Sequence, residues 1–416
     1  MSVTAADARA VLAANDRGGY TVPTAKLYPF QWNWDSAFVA MGFATFDLDR
    51  ALRELERLAE GQWADGMIPQ IVFHAPADTY FPGPEVWGTA HMPPTSGITQ
   101  PPVLAIALRM LHERGADAAR VGKLYRVALD YHRWFWRARD PEGTGLVAML
   151  HPWESGRDNA PAWDGPLARV EETTTTEVRR RDTGLVDASM RPRDSEYRRF
   201  IHIVDTFRAV GWDPARMWQV APLKVADVGI NGILAGAEAD LLVLAGTYGT
   251  AAEADEIAAR LARADVAQRG LWCAEIGQYA SRDLIDGSLI AAPSSGGFLP
   301  LLAGAPDAAH VAALAQTLAA WRAEGQMAVP SAPRHAAGFD ARRYWRGPVW
   351  AVVNWLVARG FARHGMAGLA AGIDAETRQA IGAAGFVEYF DPLTGEGLGG
   401  GVFSWTAAVW LLLEGR

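Results

Sequence analysis

The chain has 416 residues, 39 Lys+Arg against 47 Asp+Glu, a formal charge of −8 and 50 % apolar residues. That length holds one large domain or two ordinary ones, and the negative balance offers no broad positive field for nucleic acid. The single Cys273 excludes an internal disulfide, no CxxC or Cys/His zinc spacing occurs, and no run approaches the roughly 20 apolar residues that cross a bilayer.

The opening stretch, MSVTAADARAVLAAND, reads as an amphipathic helix without a basic start or long apolar run. No signal peptide is expected, and the expected location is cytoplasmic. YPFQWNWDSAF (28–38) follows. If extended, it puts Trp32 and Trp34 on one face and lets Asp35 open a helix starting at Ser36. Helical periodicity then dominates: Leu52, Leu55 and Leu58 recur with charges between them. Further helices are expected over 101–113, 117–139, 223–247, 251–265, 307–323, 347–363, 367–381 and 404–413. Short extended pieces are expected near 68–73, 147–150 and 169–177. Between 140 and 195 the helical signal fades, which reads as an excursion over one face. No linker divides the chain, so one domain over 1–416 is expected. Helices follow one another in pairs of about 40 residues, which suits a solenoid or a closed ring.

The chain holds 17 Trp. Indoles either fill a large core or stack on sugar rings, and composition alone favours the core. Position separates the two uses. Asp35, beside Trp32 and Trp34, suits an N-cap or a sugar contact equally. HPWESGRDNAPAWD (151–164) carries Trp153, Glu154, Arg157, Asp158 and Trp163 in a loop. A carboxyl beside an indole loses solvation and its pKa rises, as a general acid requires, so Glu154 and Asp158 are both candidates. In ARRYWRGPVWAVVNWL (341–356), Tyr344, Trp345, Gly347 and Trp350 precede a helix, as a core-packed start or as a ligand wall. In FVEYFDPLTGEG (386–397), Asp391 suits the turn, while Glu388 sits in an apolar run and must find partners there. GxSxG, P-loop and HExxH patterns are absent, and GLGGGV (397–402), with no preceding strand, carries little weight as a phosphate cradle.

YPFQWNWDSAF, TSGITQPP, HPWESGRDN, RYWRGPVW, EYFDPLTGEG and FSWTAA, in this order, resemble the glycoside hydrolases of family 63 and their trehalase-like relatives. More narrowly, they resemble its small bacterial mannosylglycerate and glucosylglycerate hydrolases. The resemblance implies an all-α (α/α)6 barrel and inverting hydrolysis of an α-glycosidic bond. It implies Asp158 as general acid and Glu388 as general base. It implies sugar contacts from Tyr28, Trp32, Trp34, Asp35, Gln100, Trp153, Arg157, Trp345, Gly347 and Trp350. Arg191 and Tyr197 in RPRDSEYRRF, with Tyr80 and Tyr344, are implied for the glycerate end. One departure stands out: Val402 precedes Phe403 where relatives carry a polar residue.

These readings predict a small glycoside as partner, with no nucleic acid and no membrane, and no cofactor or metal. They leave open glucose against mannose, the oligomeric state and the pathway. Segments 76–94 and 160–195 are expected to act as lids. The alternatives are a trehalase-like hydrolase of a neutral disaccharide and an inactive carbohydrate-binding protein; a cyclase on an α/α barrel fits poorly with such polar loops.

Overall fold

The computed structural model describes residues 3–414, and helices dominate it. Six segments form an inner layer: Asn33–Phe43, Leu104–Glu113, Val228–Tyr248, the 3-10 helix Ser295–Leu302, Ala351–Arg363 and Ser404–Glu414. Most are apolar on nearly every side. In Asn33–Phe43 and Ser295–Leu302 every residue is buried. A helix apolar all round needs neighbours all round. Each inner segment packs on the next in chain order, and Ser404–Glu414 returns to Asn33–Phe43, so the contacts run in a circle. Small residues allow the close approach. A Cβ at Gly232 would stand 2.5 Å from the Leu299 carbonyl carbon.

A second set of helices covers the first. Ala5–Asn15 lies on Ser404–Glu414, Leu48–Ala59 on Asn33–Phe43, Ala118–Arg139 on Leu104–Glu113, Ala251–Arg269 on Val228–Tyr248, and Ala367–Ala384 on Ala351–Arg363. Leu48–Ala59 shows why: Ala51, Leu52, Leu55 and Leu58 are buried on one stripe, and its other face is largely charged. The strands are short antiparallel pieces between helices, such as Gln31–Trp32 on Ile71–Val72 and Tyr389–Phe390 on Gly397–Leu398.

Several expectations need correction. The 28–38 stretch is extended only at Gln31–Trp32, and the helix starts at Asn33, so Trp34 and Asp35 lie in its first turn. Asp35 therefore caps nothing. Residues 169–177 form no strand, and 147–150 contributes one bridge, Met149 to Val225. Asp194–Ala209 is a helix that the sequence reading passed over; Tyr197, Phe200, Ile201, Val204 and Phe207 form its buried stripe. Val228–Tyr248 is long and apolar enough to cross a membrane by length and composition, contrary to expectation. Its most apolar window is 89 % buried inside the protein, which accounts for the composition.

Candidate active site

One cavity opens where inner helices begin. Asp35 is in the first turn of Asn33–Phe43, Gln100 precedes Leu104, Trp345 precedes Ala351, and Phe403 and Trp405 flank Ser404; all line the cavity. Tyr28, Trp32, Trp34, Tyr80, Trp153, Asp158, Arg191, Tyr197, Tyr344 and Glu388 line it too. The chain thus brings together most residues expected to meet a sugar.

Three expected residues stand behind the wall. Arg157 is buried and gives two short bonds from Nη2 to Asp227, at 2.8 and 2.6 Å. Asp227 in turn accepts from the Ile230 amide at the head of Val228–Tyr248. Arg157 therefore fixes the loop that carries Asp158. Gly347 donates its N–H to Ser331, and a Cβ there would meet the Asp340 carbonyl oxygen at 2.6 Å. Trp350 stacks on Trp345 with centroids 3.8 Å apart and planes 2° apart, so it backs the wall instead of forming it.

Asp158 and Glu154 separate clearly. Glu154 is fully buried, accepts from Arg139 Nη2 at 2.6 Å and from the Leu150 amide at 2.8 Å, and does not line the cavity. Its charge is spent inside the protein. Asp158 is half-buried on the wall, and lost solvation pushes its pKa up to about 7; Arg191 opposes that rise and Glu388 adds to it. Near neutral pH it therefore holds a proton it can give. Gly156 makes the turn that presents it, with φ of +66°, and a side chain there would meet Trp34 at 2.8 Å.

Glu388 is 1 % exposed. Its Oε1 accepts from the Tyr28 hydroxyl at 3.2 Å, and its Oε2 accepts from the Gly400 amide at 2.9 Å. Burial raises its pKa, while Arg191, the Gly400 amide and the Tyr28 hydroxyl oppose the rise. Its backbone is held as well. Trp405 Nε1 donates to the Glu388 carbonyl, and Thr406 Oγ1 donates to that of Val387. The glycine-rich stretch thus serves as a cradle for a carboxylate: a Cβ at Gly399 would meet Glu388 Oε2 at 2.5 Å. Asp35, 5 % exposed, has its pKa raised well above the ordinary range, first by burial and then by Glu388 and Glu54.

Arg191 is 4 % exposed and lies over the Tyr344 ring at 4.3 Å. Its Nε donates to Asp182 at 3.1 Å, and its Nη1 has no hydrogen-bond partner among the described residues. The indole N–H of Trp345 is likewise unpaired. Two unused donors in the residues of one wall suit a polar ligand. The hydroxyls of Tyr28 and Tyr344 stand 3.0 Å apart, and Tyr344 adopts φ of +45°, a strained backbone for a bulky residue. Tyr197 donates to the Phe81 carbonyl. Val402 is 55 % exposed and is not among the lining residues.

Sequence reasoning missed several lining residues, among them Gln70, Thr79, Phe81, Asp182, Phe403 and Trp405. Phe403 and Trp405 lie in the quoted FSWTAA and carried a usable signal. Asp182 lies in a charged run where nothing marks one acid from the next.

A model of the mannosylglycerate hydrolase MGH1-like glycoside hydrolase domain matches residues 28–406. Mannosylglycerate hydrolase MGH1 of Selaginella moellendorffii is 48 % identical over 97 % of this chain and 84 % of its own. Glucosylglycerate hydrolase of Mycolicibacterium hassiacum is 34 % identical over 97 % and 96 %. A crystal structure of a mannosylglycerate hydrolase of family 63 from Thermus thermophilus, in complex with Tris and D-glycerate, is 45 % identical and superposes with a TM-score of 0.94 over 99 % of both chains. The family match and these relatives make the protein a glycoside-cleaving enzyme, an O-glycosyl hydrolase. The chain belongs to the mannosylglycerate hydrolase MGH1-like glycoside hydrolases.

Proposed function

We propose that the protein is an inverting α-glycosidase built as an (α/α)6 barrel. It releases mannose or glucose, together with glycerate, from mannosylglycerate or glucosylglycerate. The circle of inner-helix contacts supports the barrel. The observation that carries the chemistry is one cavity holding Asp158, protonated near neutrality, and Glu388, fixed by the Gly400 amide and the Tyr28 hydroxyl.

Asp158 gives its proton to the glycosidic oxygen as the bond breaks. Glu388 takes a proton from a water that attacks the opposite face of the sugar. Inversion needs room for that water, so the carboxyls stand about 6.5–9.5 Å apart in such enzymes. No covalent sugar intermediate forms. Trp32, Trp34, Asp35, Gln100, Trp153 and Trp345 surround the sugar, indoles against ring faces and carboxylate or amide against hydroxyls. Arg191 takes the glycerate carboxylate through its unused Nη1, with Tyr28, Tyr80, Tyr197 and Tyr344 around it. The D-glycerate bound in the Thermus thermophilus structure supports this acceptor.

The test is hydrolysis of mannosylglycerate, glucosylglycerate and trehalose followed by proton NMR. The expected first product is the β-anomer from a glycerate-bearing substrate, with Asp158→Asn and Glu388→Gln each slowing release by about 100-fold or more. Initial release of the α-anomer would overturn inversion. Turnover of trehalose alone would move the substrate to the neutral class.

A further inference from the structure

Arg191 stands between two carboxylates. On one side its Nε donates to Asp182 Oδ2 at 3.1 Å; on the other its Nη1 lies 3.7 Å from Glu388 Oε1 without a hydrogen bond. The near side is tied down heavily. Asp182 is 8 % exposed and also accepts from Arg180, at Oδ1 (3.0 Å) and Oδ2 (2.6 Å). Arg180 reaches past it to the Pro192 carbonyl and to Asp194, and its guanidinium lies 4.5 Å over the Tyr197 ring. Asp182, Arg180 and the backbone next to Arg191 therefore form one clasp within residues 180–197.

From this geometry we infer that Asp182 is a positioning residue: it holds Arg191 by Nε, off the general base, so that Nη1 stays free for the acidic end of the substrate. The inference rests on the reading of Glu388 as base and of Arg191 as carboxylate site. An arginine without a counterion turns toward the nearest carboxylate it can reach. Here that carboxylate is Glu388, 0.6 Å too far for the distance Arg191 keeps to Asp182. A closed Arg191–Glu388 pair would take both partners out of use. The base would become weaker, since an opposite charge in contact lowers a carboxyl pKa by about 1–3 units, and the substrate carboxylate would lose its donor.

The groups facing Glu388 are Arg191 and Asp182 from the excursion, Asp158 from its loop, Tyr28 and Asp35 from the N-terminal part, and Tyr344 and Tyr389 from the C-terminal part. The substitution tested changes the charge of one of them, Asp182. Losing that negative charge and closing the Arg191 pair both lower the acid limb.

The experiment compares wild type, Asp182→Asn and Asp182→Glu. It reads KM and kcat for the glycerate-bearing glycoside across pH, and binding of D-glycerate by calorimetry. Asp182→Asn is expected to raise KM and weaken D-glycerate binding by about 10-fold or more, and to move the acid limb of kcat down by about one pH unit. Asp182→Glu, which keeps the charge, is expected to restore the limb and part of the binding. Reduced activity with an unmoved acid limb, or equal losses in both variants, would overturn the inference. If wild type binds no D-glycerate but hydrolyses a neutral α-glycoside, the substrate reading fails. An unmoved acid limb in Asp182→Asn on that glycoside still overturns the role of Asp182.

Discussion

At the scale of single residues, two carboxyls of one cavity have both lost water and both feel Arg191, but only Glu388 also accepts from the Gly400 amide and the Tyr28 hydroxyl. The pH dependence follows with a definite sign. Activity should fall on the alkaline side near pH 7 as Asp158 loses its proton, and on the acid side above the ordinary glutamate range as Glu388 gains one. A kcat/KM profile checks both limbs; with a good leaving group, Asp158→Asn should lose the alkaline limb and keep the acid one. The same shift is a statement about stability. The folded pKa of Asp158 lies above its ordinary value of 3.8, so its contribution is fully present below pH 4 and is lost as pH rises through about 7. Thermal unfolding of Asp158→Asn should therefore match wild type most closely at pH 4 and gain on it toward pH 8. A constant difference across that range would count against the shift.

At the scale of elements, helices exposed on one side were legible and those buried all round were less so. Leu48–Ala59 alternates apolar and charged residues at helical spacing, and its stripe reads directly from the sequence. Asn33–Phe43 has no polar face, so nothing in its pattern separates helix from strand, and the start was placed late, at Ser36. Ser295–Leu302, with Pro300 inside it, gave no helical signal at all. The site shows the same division. Aromatic and acidic clusters in loops marked Asp158, Glu388 and Trp345, but the pattern could not distinguish a residue on the wall from one behind it. Trp350 and Arg157 stand close in sequence to Trp345 and Asp158, yet only the latter two line the cavity. The inner helices also set a tolerance. Gly232→Ala would press a methyl into the backbone at Leu299 and Pro300, a clash that only helix movement relieves. A loss of about 1–3 kcal/mol in denaturant unfolding is expected.

At the scale of the whole molecule, the site draws on segments separated by most of the chain, from Tyr28 to Trp405. This was legible only through the resemblance, because no local pattern says that residue 35 meets residue 388. The circle closes where Ser404–Glu414 meets Asn33–Phe43, and the covering helix Ala5–Asn15 braces that last segment. Asn15 Nδ2 donates to Ser404 Oγ at 2.9 Å, and Ser404 donates from Oγ to the Val22 carbonyl and from its amide to that of Pro23. Asn15→Ala removes a buried donor from this seam and should cost about 1–3 kcal/mol. Its activity should disappear at lower denaturant than the bulk helical signal if the seam opens first; coincident loss would show that the ring unfolds as one unit.

The hold of Trp405 and Thr406 on the backbone at Glu388 and Val387 has a consequence for a chain still being made. On the proposed roles of Asp158 and Glu388, synthesis delivers both carboxyls before the segment that anchors the second of them. A nascent polypeptide that already carries Asp158 and Glu388 would be chemically silent, and docking of the 404–414 helix would arm it. Cleavage of the glycoside would then begin only with molecules whose ring has closed.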